Sequence, residues 1–331
     1  MSFFSVVMPV YNAGEYIGKA IQSVIDQTFI DWELIVVNDC STDDTSLIVR
    51  SFVDRDKRVK FYERSQNSGS AYIPRKEAIL KSISPWIVSL DADDWLESSY
   101  LEYIYKRILD TDVDIVLQRM FLTLDGKDIL LTIPNDGFDI SQIISGEEAC
   151  MKTISGWEIS AGGAAITTDL YRKVWEQEKN LYIGMNADEL LTRRLFLYAR
   201  RVTFSSGKYY YRQRNDSITR KFSIKWFDVL DTDLLLDRLI KAHFGEDSEE
   251  ALRTNCQICN NMFGCAVLYS RFFHQMKPLE RKKVRWRIKE SWKQVRWKEL
   301  KQHLPFLKYE MGRWSFTLLM FIVFIRSYAK R

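Results

Sequence analysis

Residues 4–94 carry the pattern that most narrows the possible folds: four short apolar runs alternate with three amphipathic segments, and each run stops at a polar or acidic loop. The runs Phe4–Met8, Trp32–Asn38, Val59–Glu63 and Trp86–Leu90 are rich in β-branched and aromatic residues, as buried strands require. Pro9 and the turn through Asn12 and Gly14 are expected to stop the first of them. Between the runs, Ile17, Ala20, Ile21, Val24 and Ile25 recur at helical spacing. Ser41, Thr42, Asp43 and Asp44 offer capping groups for a helix over 45–54, and a third helix is expected over 71–82 with Pro74 in its first turn. Strands alternating with helices of this length describe right-handed βαβ units and a parallel sheet. Ligands of such sheets lie at the carboxyl ends of the strands. Tyr11-Asn12, Asn38-Asp39 and Asp91-Ala-Asp93-Asp94 are therefore expected to meet in one crevice.

The last of these loops places three carboxylates within four residues. On an extended chain, residues two apart point the same way, so Asp91 and Asp93 can serve one site while Ala92 turns aside. Carboxylates so close repel one another and take up protons unless a cation or solvent compensates them. Oxygen-only ligands favour a hard divalent ion, Mg²⁺ or Mn²⁺, able to bridge substrate phosphates. The plainer alternative is an acidic turn in which Asp93 or Asp94 caps a helix starting near Glu97.

Other chemistries lose support. Neither G-x-G-x-x-G nor G-x-x-x-x-G-K-[ST] occurs in the loops, and no histidine precedes His243, so nicotinamide redox, P-loop and Ser-His-Asp chemistry are disfavoured. Carboxylates must then do any acid–base work. The 331 residues, 46% apolar and 28% charged, suit a large globular domain with an appendage or two domains. Five cysteines at irregular spacing argue for a reducing compartment and against a disulfide framework. The first residues read as neither secretory signal nor anchor, and no apolar run reaches the 18 or more residues of a spanning helix.

Beyond Asp110 a strand is expected at Ile115–Arg119 and a turn at Asp125-Gly126. The small residues Gly162-Gly163-Ala-Ala, able to admit a neighbouring segment closely, precede a helix over 168–177. Asp188 and Glu189 open another helix, and Val202–Phe204 and Lys208–Arg212 read as two short strands before a polar loop over 215–220.

Taken in order, Pro9-Val-Tyr-Asn12, Val37-Asn-Asp39-Cys-Ser-Thr-Asp-Asp-Thr45, Asn67-Ser-Gly69 with Arg75, Leu90-Asp-Ala-Asp-Asp94, Asp188 and Tyr209-Tyr-Tyr-Arg212 with Ser217 resemble the motifs of family-2 glycosyltransferases, over residues 3–220. The resemblance implies a GT-A fold, with a Rossmann-like nucleotide-binding half, an acceptor half and a mixed sheet. It implies inverting transfer of a sugar from a nucleotide-diphospho donor, typically a UDP-sugar, to a hydroxyl of a glycan or lipid-linked acceptor, as in bacterial cell-surface polysaccharide synthesis. By the same resemblance Pro9, Tyr11, Asn12, Asp39, Asn67, Arg75 and Asp91 bind the nucleotide, Asp39 accepting from the uracil ring. Asp91 and Asp93 hold Mn²⁺ or Mg²⁺, and Asp188 is the catalytic base with Glu189 as the alternative. The sequence departs from the family at Asn38, where a second aspartate is usual, at Ala187, where a glutamate is usual, and at Lys76, where an asparagine is common.

Past residue 221 the resemblance ends and the pattern becomes helical, over 226–243 and 251–273. Cys256, Cys259, Cys265 and His274 could be drawn as a zinc site but are better read as core. Lys277–Lys301 holds eleven Lys or Arg against three Glu, with Val284, Ile288, Trp292 and Val295 on one helical face. That composition suits a helix lying on an anionic membrane surface, followed at 314–325 by an apolar stretch too short to span. A solvated basic helix packed on its own domain is the alternative; no nucleic-acid partner is expected. Gln294-Val-Arg-Trp297 is one residue short of the Q-x-x-R-W of processive synthases and is discounted. The expectation is thus a catalytic domain over 1–220 and a helical region over 221–331, cytoplasmic and peripheral to the inner membrane. A nucleotidyltransferase with the same acidic cleft, or an inactive membrane-peripheral scaffold, are the competing readings.

Overall fold

The four expected strands form a parallel run in one mixed sheet. In the computed structural model the described residues are 2–124, 127–130, 139–154, 159, 161–177, 184, 186–213, 222–303, 305, 309, 310, 312, 313, 315–317, 319–321 and 323. The turn at 125–126 and the polar loop over 215–220 lie outside them. The chain divides into two compact units, a sheet unit of Met1–Ile183 with Leu191–Asn215 and a helical unit of Gly184–Leu190 with Asp216–Arg331.

The sheet unit opens with β1 (Phe4–Val10), α1 (Ile17–Ile25), β2 (Trp32–Asn38), α2 (Thr45–Arg55), β3 (Val59–Glu63), α3 (Tyr72–Lys81) and β4 (Trp86–Ser89). β5 (Trp95–Leu96), α4 (Tyr100–Leu109), β6 (Ile115–Leu124), β7 (Lys127–Leu130), β8 (Ile143–Ser145) and α5 (Gly146–Met151) follow. β9 (Ala165–Thr167), α6 (Thr168–Glu176), α7 (Ala187–Tyr198) and β10 (Arg201–Arg212) complete it. The strand order is β3-β2-β1-β4-β9-β6-β10-β5, with β7 beside β6 and β8 beside β10. β3, β2, β1 and β4 run parallel, whereas β9 is antiparallel to both β4 and β6. All seven residues of β1 and of β2 are buried, which is why both read as continuous apolar runs.

Pro9 does not end β1. Leu90 N–H donates to Val7 O on the β4 side, so Pro9, two residues on, points its missing donor to that same side, where pairing with β4 has already stopped. Pairing with β2 continues through Val10 opposite Asn38. Val202–Phe204 and Lys208–Arg212 prove to be one strand, β10, which changes register against β6 between Phe204 and Lys208.

The helical unit, with the first turn of α7, is built on α8 (Val229–Phe244), α9 (Glu249–Arg271) and α10 (Pro278–Gln294). Ser248 caps α9 by accepting from Ala251 N–H at 3.1 Å. Across α8 and α9 the buried Asp233 accepts from Gln257 and Asn261, each at 2.9 Å. Cys259 and Cys265 lie in the apolar core with Ile258, Met262 and Ile288, and no metal-binding cluster of three or more His, Cys, Asp or Glu occurs among the described residues. No helix among them is long and apolar enough to cross a membrane.

Burial pushes the Cys150 and Cys265 thiols up to about 12. Since the thiolate is the nucleophile, alkylation of the folded protein near about pH 8 is expected to modify half-buried Cys40 and spare these two. Early mass addition on Cys150 would contradict this packing.

Candidate active site

The strand order 3-2-1-4 reverses direction between β1 and β4, and ligands of such sheets lie at the carboxyl ends of the strands flanking this switch point. The loops after β1, β2 and β4 all emerge there, with the loop after β3 beside them. The first two interlock: Asn12 N–H donates to Ser41 Oγ at 2.9 Å, and Thr42 N–H donates to Asn12 Oδ1 at 2.8 Å. Ala13 and Gly14 N–H donate to Thr45 Oγ1 and Asp43 Oδ2, both at 2.9 Å. Asn12 and Cys40 sit at φ 48° and 64°, left-handed conformations that non-glycine residues hold only when their surroundings enforce them. Tyr11 remains half exposed at the rim.

Asp39, the residue after β2, is only 3% exposed. Its two oxygens accept from Ser68 N–H at 3.0 Å, Oδ2 accepts from Ser68 Oγ at 2.8 Å, and Oδ1 pairs with Arg64. Asn67 Nδ2 donates to Asp39 O at 3.0 Å, and Asn67 Oδ1 accepts from Gly69 N–H at 2.7 Å. Asp39 therefore folds the Asn67–Gly69 loop onto the end of β2, and a nucleobase donor reaching it would share an oxygen with Ser68. Arg64 was not among the expected site residues. It follows the last residue of β3, so the same strand-end rule that found Asp39 reaches it.

Asn38 shows why an amide works where the family commonly has an aspartate. Its Nδ2 donates to Ser46 Oγ at 2.8 Å while its Oδ1 accepts from Ser41 N–H at 3.1 Å. An aspartate could make the second bond but not the first. Lys76, the other departure on α3, lies over the Trp175 ring, 4.9 Å from its centroid.

After β4 the chain is not extended through the acidic residues. Asp94 N–H donates to Asp91 O at 3.1 Å, closing a turn, and Ala92 is buried while Asp91 and Asp93 keep partial exposure. Asp91 Oδ1 accepts from Arg75 Nη2 at 2.6 Å, an ion pair that ties α3 to the turn. Neither Asp93 nor Asp94 caps a helix. Trp95-Leu96 form β5 against Tyr210 and Tyr209, and α4 begins only at Tyr100, after Ser99.

Asp94, 2% exposed, is instead a strut. Its Oδ2 accepts from Tyr209 Oη at 2.6 Å and its Oδ1 from Arg212 N–H at 2.8 Å. Arg212 Nε donates to Asp93 O at 2.9 Å, and Asp91 N–H donates to Tyr209 Oη at 3.3 Å. Burial first, then the charges of Asp91 and Asp93, hold the Asp94 carboxyl well above the usual carboxylate range. Burial likewise raises the Tyr209 phenol. Trp95 stacks on Tyr210 with 9° between ring planes, and Lys19 Nζ lies 3.1 Å above the Trp95 ring. Gly163, at φ +78°, accepts the Tyr209 ring so closely that a Cβ there would lie 2.3 Å from Tyr209 Cδ2. The segment that the small residues admit is the end of β10.

Two carboxylates on a short turn fit a hard divalent ion whose remaining ligands are phosphate and water, and do not make an all-protein cage. Asp188 and Glu189 occupy the first turn of α7, Asp188 exposed and Glu189 3.4 Å from Asn186 Nδ2. They group with the helical unit, while Leu191 onward groups with the sheet.

Comparison with known proteins agrees with this architecture. A model of glycosyl transferase family 2 matches residues 5–166. Glycosyltransferase GlyA of Streptococcus pneumoniae is 28% identical over 257 residues, 75% of this chain and 36% of that protein. Glycosyltransferase GlyG of the same organism is 26% identical over 228 residues, 67% of this chain and 75% of that protein. The poly(ribitol-phosphate) β-N-acetylglucosaminyltransferase TarS of Staphylococcus aureus is 28% identical over 217 residues, 64% of this chain and 35% of that protein. The chain thus spans little more than a third of the length of GlyA and TarS. The crystal structure of TarS residues 1–349 in complex with UDP-GlcNAc superimposes with a TM-score of 0.71 at 21% identity, covering 100% of this chain and 92% of that one. The likeness is one of GT-A fold. Residues 5–166 thus match glycosyl transferase family 2, with the motifs after β1, β2 and β4 standing at the carboxyl ends of neighbouring strands.

Proposed function

We propose that the chain is an inverting glycosyltransferase that moves a sugar from a UDP-linked donor to a hydroxyl of a cell-surface glycan or lipid-linked acceptor, working at the anionic cytoplasmic face of the membrane. One observation carries the enzymatic part: the loops bearing Asn12, Asp39 and Asp91–Asp93 emerge at a single switch point, braced by ion pairs and left-handed backbone. The TarS structure with UDP-GlcNAc supports a UDP-sugar as donor.

In this reading Tyr11, Asn12, Asp39 and Asn67 receive the nucleoside, and Asp91 and Asp93 would hold Mn²⁺ or Mg²⁺. That ion, when bound, neutralises the departing diphosphate. Arg75 fixes the Asp91 carboxylate and offsets part of the turn's negative charge. The acceptor hydroxyl is a poor nucleophile until a carboxylate takes its proton, the role assigned to Asp188. Attack opposite the leaving group then inverts the anomeric centre in one displacement.

Incubation with a panel of UDP-sugars and Mn²⁺ tests the reaction class. Free UDP should accumulate with acceptor present. Release of inorganic diphosphate in a parallel incubation with UTP and sugar 1-phosphates would instead identify a nucleotidyltransferase, and absence of product in both incubations with UDP still bound would identify an inactive relative.

A further inference from the structure

The apolar stripe expected to face lipid is turned the other way. Val284, Ile288 and Val295 are 0%, 0% and 5% exposed and belong to the core of the helical unit, with Trp292 packed against it. Arg287, on the same inward side, is 7% exposed and pairs with Asp228 and Asp231. The opposite side of α10 carries Leu279, Lys282, Arg285, Trp286, Lys289 and Lys293, a continuous row by helical spacing. Leu279 is 78% and Trp286 59% exposed. Among the described residues Lys282, Arg285 and Lys289 form no ion pair, whereas Lys293 pairs with Glu290 at 2.8 Å.

We infer that this outward row docks the protein on an anionic phospholipid bilayer. The inference rests on the membrane reading above and names the face that makes the contact. The row runs straight for about 21 Å along the helix, which suits a planar surface. Cations without carboxylate partners gain by meeting negative headgroups. A tryptophan and a leucine among them gain from the interfacial layer and gain nothing from a dissolved polyanion. With the apolar stripe committed to the core, the helix lies on the headgroups without burying a full face in acyl chains.

Sedimentation of the full chain with vesicles tests this. Wild type should pellet with vesicles containing phosphatidylglycerol, remain soluble with pure phosphatidylcholine, and be released by salt. Lys282→Gln/Arg285→Gln/Lys289→Gln should partition roughly a hundredfold more weakly. Trp286→Ala should show a smaller loss, and Lys298→Gln/Lys301→Gln, outside the row, should behave as wild type; far-UV circular dichroism checks that all remain folded. Undiminished pelleting of the triple variant would overturn the row while leaving membrane binding intact. Failure of wild type to pellet would overturn both. Displacement of wild type by soluble polyphosphate at matched charge, with Trp286→Ala unaffected, would reassign the row to a polyanion.

Discussion

Asp188→Asn is expected to lower turnover by roughly 10²–10⁴-fold, the usual range for a general base, and to leave UDP affinity unchanged. The substitution keeps the size and reach of the side chain and removes its charge and its ability to take a proton. Some stability is lost as well, because a carboxylate in the first turn of α7 interacts favourably with the helix N-terminus, but that effect is only about 0.3–1 kcal/mol. Steady-state kinetics with a titration of UDP separates the two effects. Equal loss of turnover and nucleotide binding would remove Asp188 from the base role. A larger turnover loss in Glu189→Gln would transfer it to the neighbour, which is less exposed than Asp188.

Gly163→Ala should damage the acidic turn from a distance in sequence. At φ +78° any L side chain is strained, and here its Cβ would also enter the Tyr209 ring at 2.3 Å. The backbone penalty alone is about 1–3 kcal/mol, on the order of 5 °C in melting temperature. Displacing the ring withdraws the hydroxyl that Asp94 accepts from and that holds Asp91 N–H, so metal-dependent UDP binding should weaken together with stability. Tyr209→Phe separates the causes: it leaves the ring in place and removes only the hydroxyl, leaving Oδ2 of the buried Asp94 without its donor at a cost of about 1–3 kcal/mol. Gly163→Ala with wild-type melting and wild-type UDP affinity would show that the Tyr209 strut does not support the turn.

The parallel strands were legible because β-branched density and helical spacing are local signals; β2 and β3 begin and end where the residues suggest. The same topology rule placed Asn12, Asp39 and Asp91 after the carboxyl ends of neighbouring parallel strands. β5 carried no local signal: two residues, Trp95 and Leu96, become a strand only because Tyr209 and Tyr210 pair with them from more than a hundred residues away. The role of Asp94 stayed hidden for the same reason, since its partners sit on β10. Arg64 was within reach of the strand-end rule yet carries no motif. In α10 the spacing of Val284, Ile288 and Val295 defined a face correctly, but periodicity cannot say whether a face meets lipid or protein; packing with α9 residues decided for protein.

The central claim is that the β1, β2 and β4 loops grip a nucleoside diphosphate together with a divalent ion. Isothermal titration calorimetry with UDP, with and without Mn²⁺, tests it most directly. The account predicts binding by wild type that Mn²⁺ strengthens, with Asp93→Ala losing the Mn²⁺-dependent part and Asp39→Ala losing binding of the nucleoside. UDP binding that is indifferent to Mn²⁺ and unchanged in both variants would contradict it.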